Sequence, residues 1–160
     1  MRRVRQQLTR EEAVTILRSA TAGVLAVNGD NGYPYAVPVS YVYADGKIYF
    51  HSALQGHKID AICHDPRVSF CVIGKDNVKP QEFTTYFRSV IAFGKVRIIE
   101  DDDEKMTALR MLLARYSDDT VTAEMTNEEI AGGFKRLLML EIAIEHLSGK
   151  EAIELVRHTD

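Results

Sequence analysis

A mainly β fold of antiparallel strands with peripheral helices is what this sequence predicts, on three observations. Short β-prone segments follow one another through Asn28-Gly29-Asp30-Asn31-Gly32 and Asp45-Gly46, turns too tight for parallel crossovers of a dozen or more residues. With 160 residues and 46% apolar composition, the chain can bury one substantial core but not two. Finally, no repeat, low-complexity linker or charge block marks a boundary, so residues 1–160 read as a single domain. Six or seven strands closed into a barrel would leave no exposed edge and keep the helices outside. An open sheet with helices on one face is the alternative.

The elements follow in order. Thr9 stands three residues before Glu12, a capping-box spacing that starts a helix running to about Leu17 or Arg18. A strand over Ala22–Val27 turns through the Asn/Gly/Asp segment into a strand over Tyr35–Tyr43, and Asp45-Gly46 leads into Lys47–His51. Gln55–His64 fits a short helix, stopped at Asp65-Pro66 because proline restricts the residue before it. Arg67–Ile73 returns to strand character, and the polar segment Gly74–Gln81 reads as a loop.

The long β-prone segment Phe83–Ile99 follows, in which Gly94 permits a bend or the close approach of another backbone. Asp101–Asp103 and Glu104 favour a helix start, and Met106, Leu109, Leu112, Leu113 and Tyr116 form an apolar stripe that packs on the sheet. Thr126 and Glu129 suggest a second capping box before a helix toward Arg136. Leu137–His146 is the last strand, with Ser148-Gly149 at its end.

Charge and composition exclude several function classes. Twenty basic and 23 acidic residues give a formal charge of −3, which argues against a dominant nucleic-acid surface; Arg2-Arg3-Val4-Arg5 reads as a solvated tail. No apolar run is long enough to cross a bilayer, and the chain turns acidic at Glu11-Glu12 rather than entering a secretory segment, so a cytoplasmic location is expected. Cys63 and Cys71 are too few for a disulfide framework or zinc site, and Cys71 reads as a small buried hydrophobe.

The chemistry concentrates in three clusters. In Tyr49-Phe50-His51-Ser52-Ala53 followed by Gln55-Gly56-His57-Lys58, an apolar strand ends in a hydroxyl, an imidazole, a glycine and a lysine beside a helix start. A phosphate needs such compact donors, positive charge and free N–H groups at one point. A strand–turn–helix junction with a surface lysine is the structural reading of the same residues. Tyr33-Pro34-Tyr35 and Pro38-Val39-Ser40-Tyr41 offer strand backbone and apolar cover for a planar cofactor, or else an edge strand whose prolines block pairing. Tyr86-Phe87-Arg88-Ser89-Val90 offers a guanidinium and a hydroxyl for an anion, or a solvated Arg beside a buried Val. His51, His57 and His64 stand six and seven residues apart, which does not place three ligands on one face, so no metal site is expected. Ser40, Ser52 and Ser89 lack a nucleophile-elbow context, and no catalytic residue is assigned.

Over nearly its full length the chain resembles the FMN-binding split-barrel family related to pyridoxamine 5′-phosphate oxidase, and more closely its nitroimidazole-resistance-like branch. The residues that carry the resemblance are Gly32-Tyr33-Pro34, Pro38-Val39-Ser40-Tyr41, Ile48 to Ala53, Gly56-His57-Lys58, Asp65-Pro66-Arg67-Val68, Arg88 to Lys95, and Leu147-Ser148-Gly149-Lys150. The resemblance implies a six-stranded antiparallel split β-barrel and a homodimer with two flavin mononucleotide sites at its subunit interface. Carried onto this sequence, Ser52 and Lys58 would hold the phosphate with His51 beside it. Pro38, Val39 and Ser40 would line the isoalloxazine ring, and Arg88 and Ser89 would complete or support the ribityl-phosphate side. His57 departs from the branch, which often has Arg there, and would make phosphate attraction weaker or more pH-dependent.

The reaction class implied is an oxidoreductase moving electrons from a small-molecule donor to a small nitroaromatic or related electrophile. Two alternatives stand beside it. A pyridoxamine 5′-phosphate oxidase would need a second anion site and a C-terminal Arg-rich segment that this sequence lacks. A non-catalytic flavin-binding or redox-sensing module would need neither. Related barrels also take other flavins or haem.

Overall fold

The computed structural model describes residues 4–157; Arg2 and Arg3 of the basic terminus lie outside the described residues. Thr9 closes the expected capping box, its Oγ1 accepting the Glu12 N–H at 3.2 Å while Glu12 Oε2 accepts the Thr9 N–H at 2.8 Å. This starts helix α1 (Arg10–Ser19), followed by strands β1 (Ala22–Asn28), β2 (Pro34–Ser40), β3 (Val42–Ala44) and β4 (Lys47–Ala53). Helix α2 (His57–His64) leads to β5 (Arg67–Lys79) and β6 (Thr84–Ile98), then to helices α3 (Asp102–Tyr116) and α4 (Ala123–Gly133). Strand β7 (Leu137–Glu151) and the short helix α5 (Ile153–Arg157) complete the fold. Among the described residues no helix is long and apolar enough to cross a membrane.

All strand pairs are antiparallel, in the order β2-β1-β5-β6-β7-β4-β3. The edge strands β2 and β3 do not pair with each other, so the barrel is split. Six strands become seven because the Tyr35–Tyr43 segment breaks at Tyr41. That residue is fully buried, and its phenol donates to the Leu17 carbonyl at 2.8 Å. Burial, reinforced by the nearby Tyr116, pushes its hydroxyl well above the ordinary tyrosine range. The break is held from outside by Tyr116, whose hydroxyl accepts the Tyr41 N–H at 2.9 Å and reaches the carbonyls of Thr21 and Tyr41. The Asp45-Gly46 turn has positive φ at both residues, 47° and 81°, as a two-residue type I′ hairpin requires.

Four expectations are corrected, two of them by long-range pairing. Gly74–Gln81 is not a loop: β5 continues to Lys79, pairing from Lys75↔Arg88 to Lys79↔Thr84 after a register shift at Ile73/Lys75. This ribbon extends beyond the barrel and carries no core-facing alternation, so its composition does not reveal it as a strand. Ser148-Gly149 does not end β7, because both residues lie within the ladder, opposite Ile91 and Val90. Thr126 is not a cap. Thr122 accepts the Met125 N–H at 3.2 Å and starts α4, while the Thr126 hydroxyl donates back to the Thr122 carbonyl. Cys71 is half-buried on the outer face rather than in the core, since its neighbour Phe70 takes the inward position.

The inner face of the barrel forms the main core around Phe50, Phe70, Val72, Val90 and Ile142, with Ile16, Leu17, Ile59 and Ile62 of α1 and α2 packed on it. A second cluster lies on the outer face, where Leu109 and Leu112 of α3 and Ile130 of α4 cover Met139 of β7. An ionic cluster anchors α3 there. Glu141, 3% exposed, accepts from Lys47 Nζ at 2.9 Å and from Arg97 Nε and Nη2 at 3.1 and 3.0 Å. The Arg97 guanidinium also binds Glu104 of α3. Burial alone would raise the Glu141 carboxyl, but the hydrogen bonds from Arg97 and Lys47 outweigh it and hold the group below its usual range.

The long strands are bent at Gly94, where the β6–β7 register shifts between Phe93 and Gly94 and a Cβ would stand 2.0 Å from the Ala143 carbonyl oxygen. Gly94→Ala is therefore expected to cost about 3 kcal/mol or more, as a forced backbone displacement in a packed region, seen as a lower urea midpoint. Because the carboxyl of Glu141 is depressed, its stabilisation is complete above the unfolded value near about 4.3 and is lost as the pH falls below it. Glu141→Gln should cost roughly 1–2 kcal/mol near neutrality, less than a fully buried pair because Lys47 and Arg97 are partly exposed. Urea unfolding at pH 7 and pH 3.5 checks both effects: the gap between wild type and variant should shrink at the lower pH.

Candidate functional site

The end of β4 and the start of α2 place two of the expected residues on the inward side of β4. Along β4 the side chains alternate, so Ile48, Phe50 and Ser52 point inward and are buried, whereas His51 and Ala53 point outward and are exposed. The chain then turns through Gly56, whose φ of 138° suits glycine, and no side chain caps the N-terminus of α2. In the first turn of this helix Lys58 folds back over the inward face of β4, with Nζ 6.0 Å from the centroid of the Phe50 ring. The Lys58 ammonium is half-buried, and that burial pushes its pKa below the ordinary lysine value.

Among the described residues, neither Lys58 Nζ nor Ser52 Oγ has a hydrogen-bond partner, and no carboxylate pairs with Lys58. Lys58, desolvated by burial, and Ser52, 6% exposed, leave at this uncapped helix start a set of donors without protein acceptors. His57 does not share in it. Its Nδ1 lies 3.2 Å from Asp30 Oδ2, and its ring packs edge-on against Tyr35 at 4.6 Å, which turns it toward the β1–β2 connection.

The remaining expected residues fall in two other places. Pro38 and Ser40 lie on the outward face of the edge strand β2, while Val39 points inward against the core, so its side chain is not on the face that presents Pro38 and Ser40. His51 is on the opposite face of β4 from Ser52, facing the outer side of the sheet. There Ser40 and His51 line one wall of a cleft of about 270 Å³, closed by Leu112, Leu113 and Tyr116 of α3 and by Ile130 and Gly133 of α4.

Arg88 and Ser89 are elsewhere. Arg88 is committed to Glu151, with Nε and Nη2 at 2.9 and 2.8 Å from Oε2. On β7, Ser52 faces Leu138 whereas Arg88 faces Glu151, thirteen residues further along. At about 3.3 Å per residue this is roughly 40 Å of strand path, so one chain does not bring Arg88 and Ser89 to its own Ser52 and Lys58. Among the described residues no group of three or more His, Cys, Asp or Glu is placed to hold a metal ion.

The α3–α4 wall of the cleft is what residue-by-residue reading missed. The apolar stripe of α3 was legible, but only as packing against a sheet. Glu129, taken as half of a capping box, instead lies on the cleft because α4 is capped by Thr122 and begins at Ala123.

The chain matches the family model described as pyridoxamine 5′-phosphate oxidase over residues 9–151, an interval that contains Ser52, Lys58, Arg88 and the whole lining of the cleft. No curated protein matches it. Among solved structures, a protein of Bacteroides thetaiotaomicron provisionally assigned to 5-nitroimidazole antibiotic resistance is similar at a TM-score of 0.75 and 22% identity, over 91% of this chain and 86% of that one. A FAD-binding protein of Mesorhizobium loti is 25% identical, with a TM-score of 0.67 over 92% and 97% of the two chains. A conserved hypothetical protein of Mycobacterium tuberculosis reaches a TM-score of 0.80 at 21% identity, over 96% and 91%. With a family model spanning most of its length and the split antiparallel barrel in place, the chain belongs to the pyridoxamine 5′-phosphate oxidase-related split-barrel family.

Proposed function

We propose that this protein binds flavin mononucleotide and acts as an oxidoreductase that reduces small nitroaromatic or related electrophilic molecules. The observation that carries the cofactor reading is the unpartnered pair Ser52 and Lys58 at the uncapped start of α2. A terminal phosphate matches it, supplying negative charge to a half-buried ammonium and acceptors to the hydroxyl and the free N–H groups. The family match and the FAD-binding protein of Mesorhizobium loti support flavin as the molecule that carries the phosphate. When bound, a flavin supplies electron transfer at its ring, and the protein positions the ring and tunes its surroundings. Pro38 on the outward face of β2 would border it, with Ser40 and the exposed His51 of β4 held in common between the ring and the cleft they also line.

The reading includes a homodimer with the cofactor at the subunit interface. Arg88 and Ser89 are too far along the sheet to serve the Ser52–Lys58 site of their own chain, so a contribution from them comes from a second copy. The outer face supplies a contact surface. Val24, Ile91 and Phe93 are 36%, 38% and 43% exposed, and the register aligns Val24 and Ile91 through Cys71 of β5. Apolar side chains grouped this way mark an association surface. The reduction of nitroaromatics, rather than oxidation of a phosphorylated amine, is supported by likeness to the Bacteroides thetaiotaomicron protein and by a single anion constellation in each chain.

Lys58→Ala should reduce flavin mononucleotide retention at least tenfold with an unchanged urea midpoint, measured as visible absorbance per chain after gel filtration; full retention would remove Lys58 from the site. The charged form of Lys58 is the one that attracts phosphate, and its pKa is lowered by burial. Affinity should therefore weaken as the pH rises through the alkaline range, and Lys58→Arg should delay that loss. Light scattering should give twice the chain mass, and Phe93→Asp should give a monomer that no longer retains flavin; a monomer with one flavin per chain would contradict the shared site.

A further inference from the structure

The cleft between the sheet and the α3–α4 pair is distinct from the anion site, because Ser52 and His51 face opposite sides of β4. Its floor is fixed, since Leu109, Leu112 and Ile130 are at most 5% exposed within the outer cluster. It does not collapse, and the structure shows why. Tyr116 cannot swing into it while its hydroxyl is held by the backbone of Thr21 and Tyr41. Lys105 ties α3 to the end of α4 by donating to the Phe134 carbonyl at 2.7 Å. Gly133 contributes no side chain, which leaves the remaining space open.

The lining decides what fits. Leucine and isoleucine side chains dominate, Ser40, His51 and Tyr116 supply polar atoms, Glu129 is the one carboxylate, and neither Lys nor Arg takes part. A phosphate or carboxylate ligand would meet Glu129 without a compensating cation, which costs rather than gains binding. The volume of about 270 Å³ is just below the range of about 300–1,000 Å³ that encloses drug-sized ligands, so it suits one or two rings and not an intact nucleotide.

We propose that this cleft is a binding site for a small, flat, uncharged or weakly basic aromatic molecule, and that it rejects phosphorylated ones. The inference deepens the functional reading above and rests on it for the occupant's role as electron acceptor; the binding itself is measured without turnover. Ser40 and His51 then face the occupant from the sheet, Leu113 and Gly133 set its size, and Glu129 disfavours anions.

The experiment is isothermal titration of the full chain, supplied with flavin mononucleotide, using 2-methyl-5-nitroimidazole and, separately, phenyl phosphate. Saturable binding of the nitroimidazole, one per chain, is expected, with at least tenfold weaker binding of phenyl phosphate. Gly133→Leu and Leu113→Trp should each weaken the nitroimidazole at least tenfold while visible flavin absorbance per chain stays constant. Gly133→Leu protects the test against misfolding: Gly133 has φ −102° and an added Cβ would lie 3.9 Å from the nearest side chain, Leu137. Unchanged affinity in folded Gly133→Leu, equal binding of phenyl phosphate, or no binding up to several millimolar would each overturn the inference. So would loss of flavin from the folded variants, which would give the cleft to the cofactor. A colourless protein that still binds the nitroimidazole in this cleft would sink the flavin reading alone, and a flavin-bearing protein that does not bind it would sink this inference alone.

Discussion

The close approach of β6 and β7 at Gly94 is the constraint on which the rest of the molecule depends. These strands hold the centre of the sheet, and the Ala143 carbonyl occupies the place a side chain at Gly94 would need. The register shift there leaves one extra residue in β7, and such a bulge bends the strand and increases its twist. Curled in this way, the sheet has an inner face that buries Phe50, Phe70 and Val90 together and an outer face free to receive α3 and α4. Without the bend, β4 would not come round toward β2, and the residues of both faces would be dispersed along an open sheet.

Two local devices then separate the surroundings of neighbouring residues on the two faces of the sheet. Tyr41 is buried in the core with its hydroxyl on α1, and Tyr116 grips the backbone at the same point from outside. The result is an edge that stays split instead of zipping into a closed barrel, leaving β2 with an unpaired side where prolines are tolerated. Alternation along β4 does the rest. Ser52 looks inward on the face where Lys58 lies over Phe50, while His51, one residue away, looks outward toward the cleft. One strand thus gives two adjacent residues different surroundings, the inner face for Ser52 and the α3–α4 cleft for His51.

Much of this was readable in advance wherever the cause is local. The capping box at Thr9 and Glu12, the Asp45-Gly46 hairpin, the stop before Pro66 and the bend at Gly94 are all decided within a few residues, by hydrogen-bond reach or by the steric limits of the backbone. The change from strand to helix between Ser52 and Lys58 was legible for the same reason. The misreadings share the opposite cause. Gly74–Gln81 is a strand only because Thr84–Arg88 pairs with it, and Gly149 continues β7 only because Val90 lies opposite. Thr122 and Thr126 both precede helical residues, and it is the Met125 N–H, aimed at Thr122, that decides between them.

The sequence by itself determined the alternating strands, the turns that make them antiparallel, and the chemical inventory of hydroxyl, imidazole and lysine around β4. These depend on side-chain period and backbone freedom, which act at short range. Only the tertiary structure decided which of those groups meet. Among the described residues it left Lys58 without a carboxylate but gave Arg88 to Glu151, and it put Ser52 and His51 on opposite faces of the sheet. The physical reason is that ion pairing and burial are settled between strands distant in sequence, so a charge is free or spent according to the register of the whole sheet.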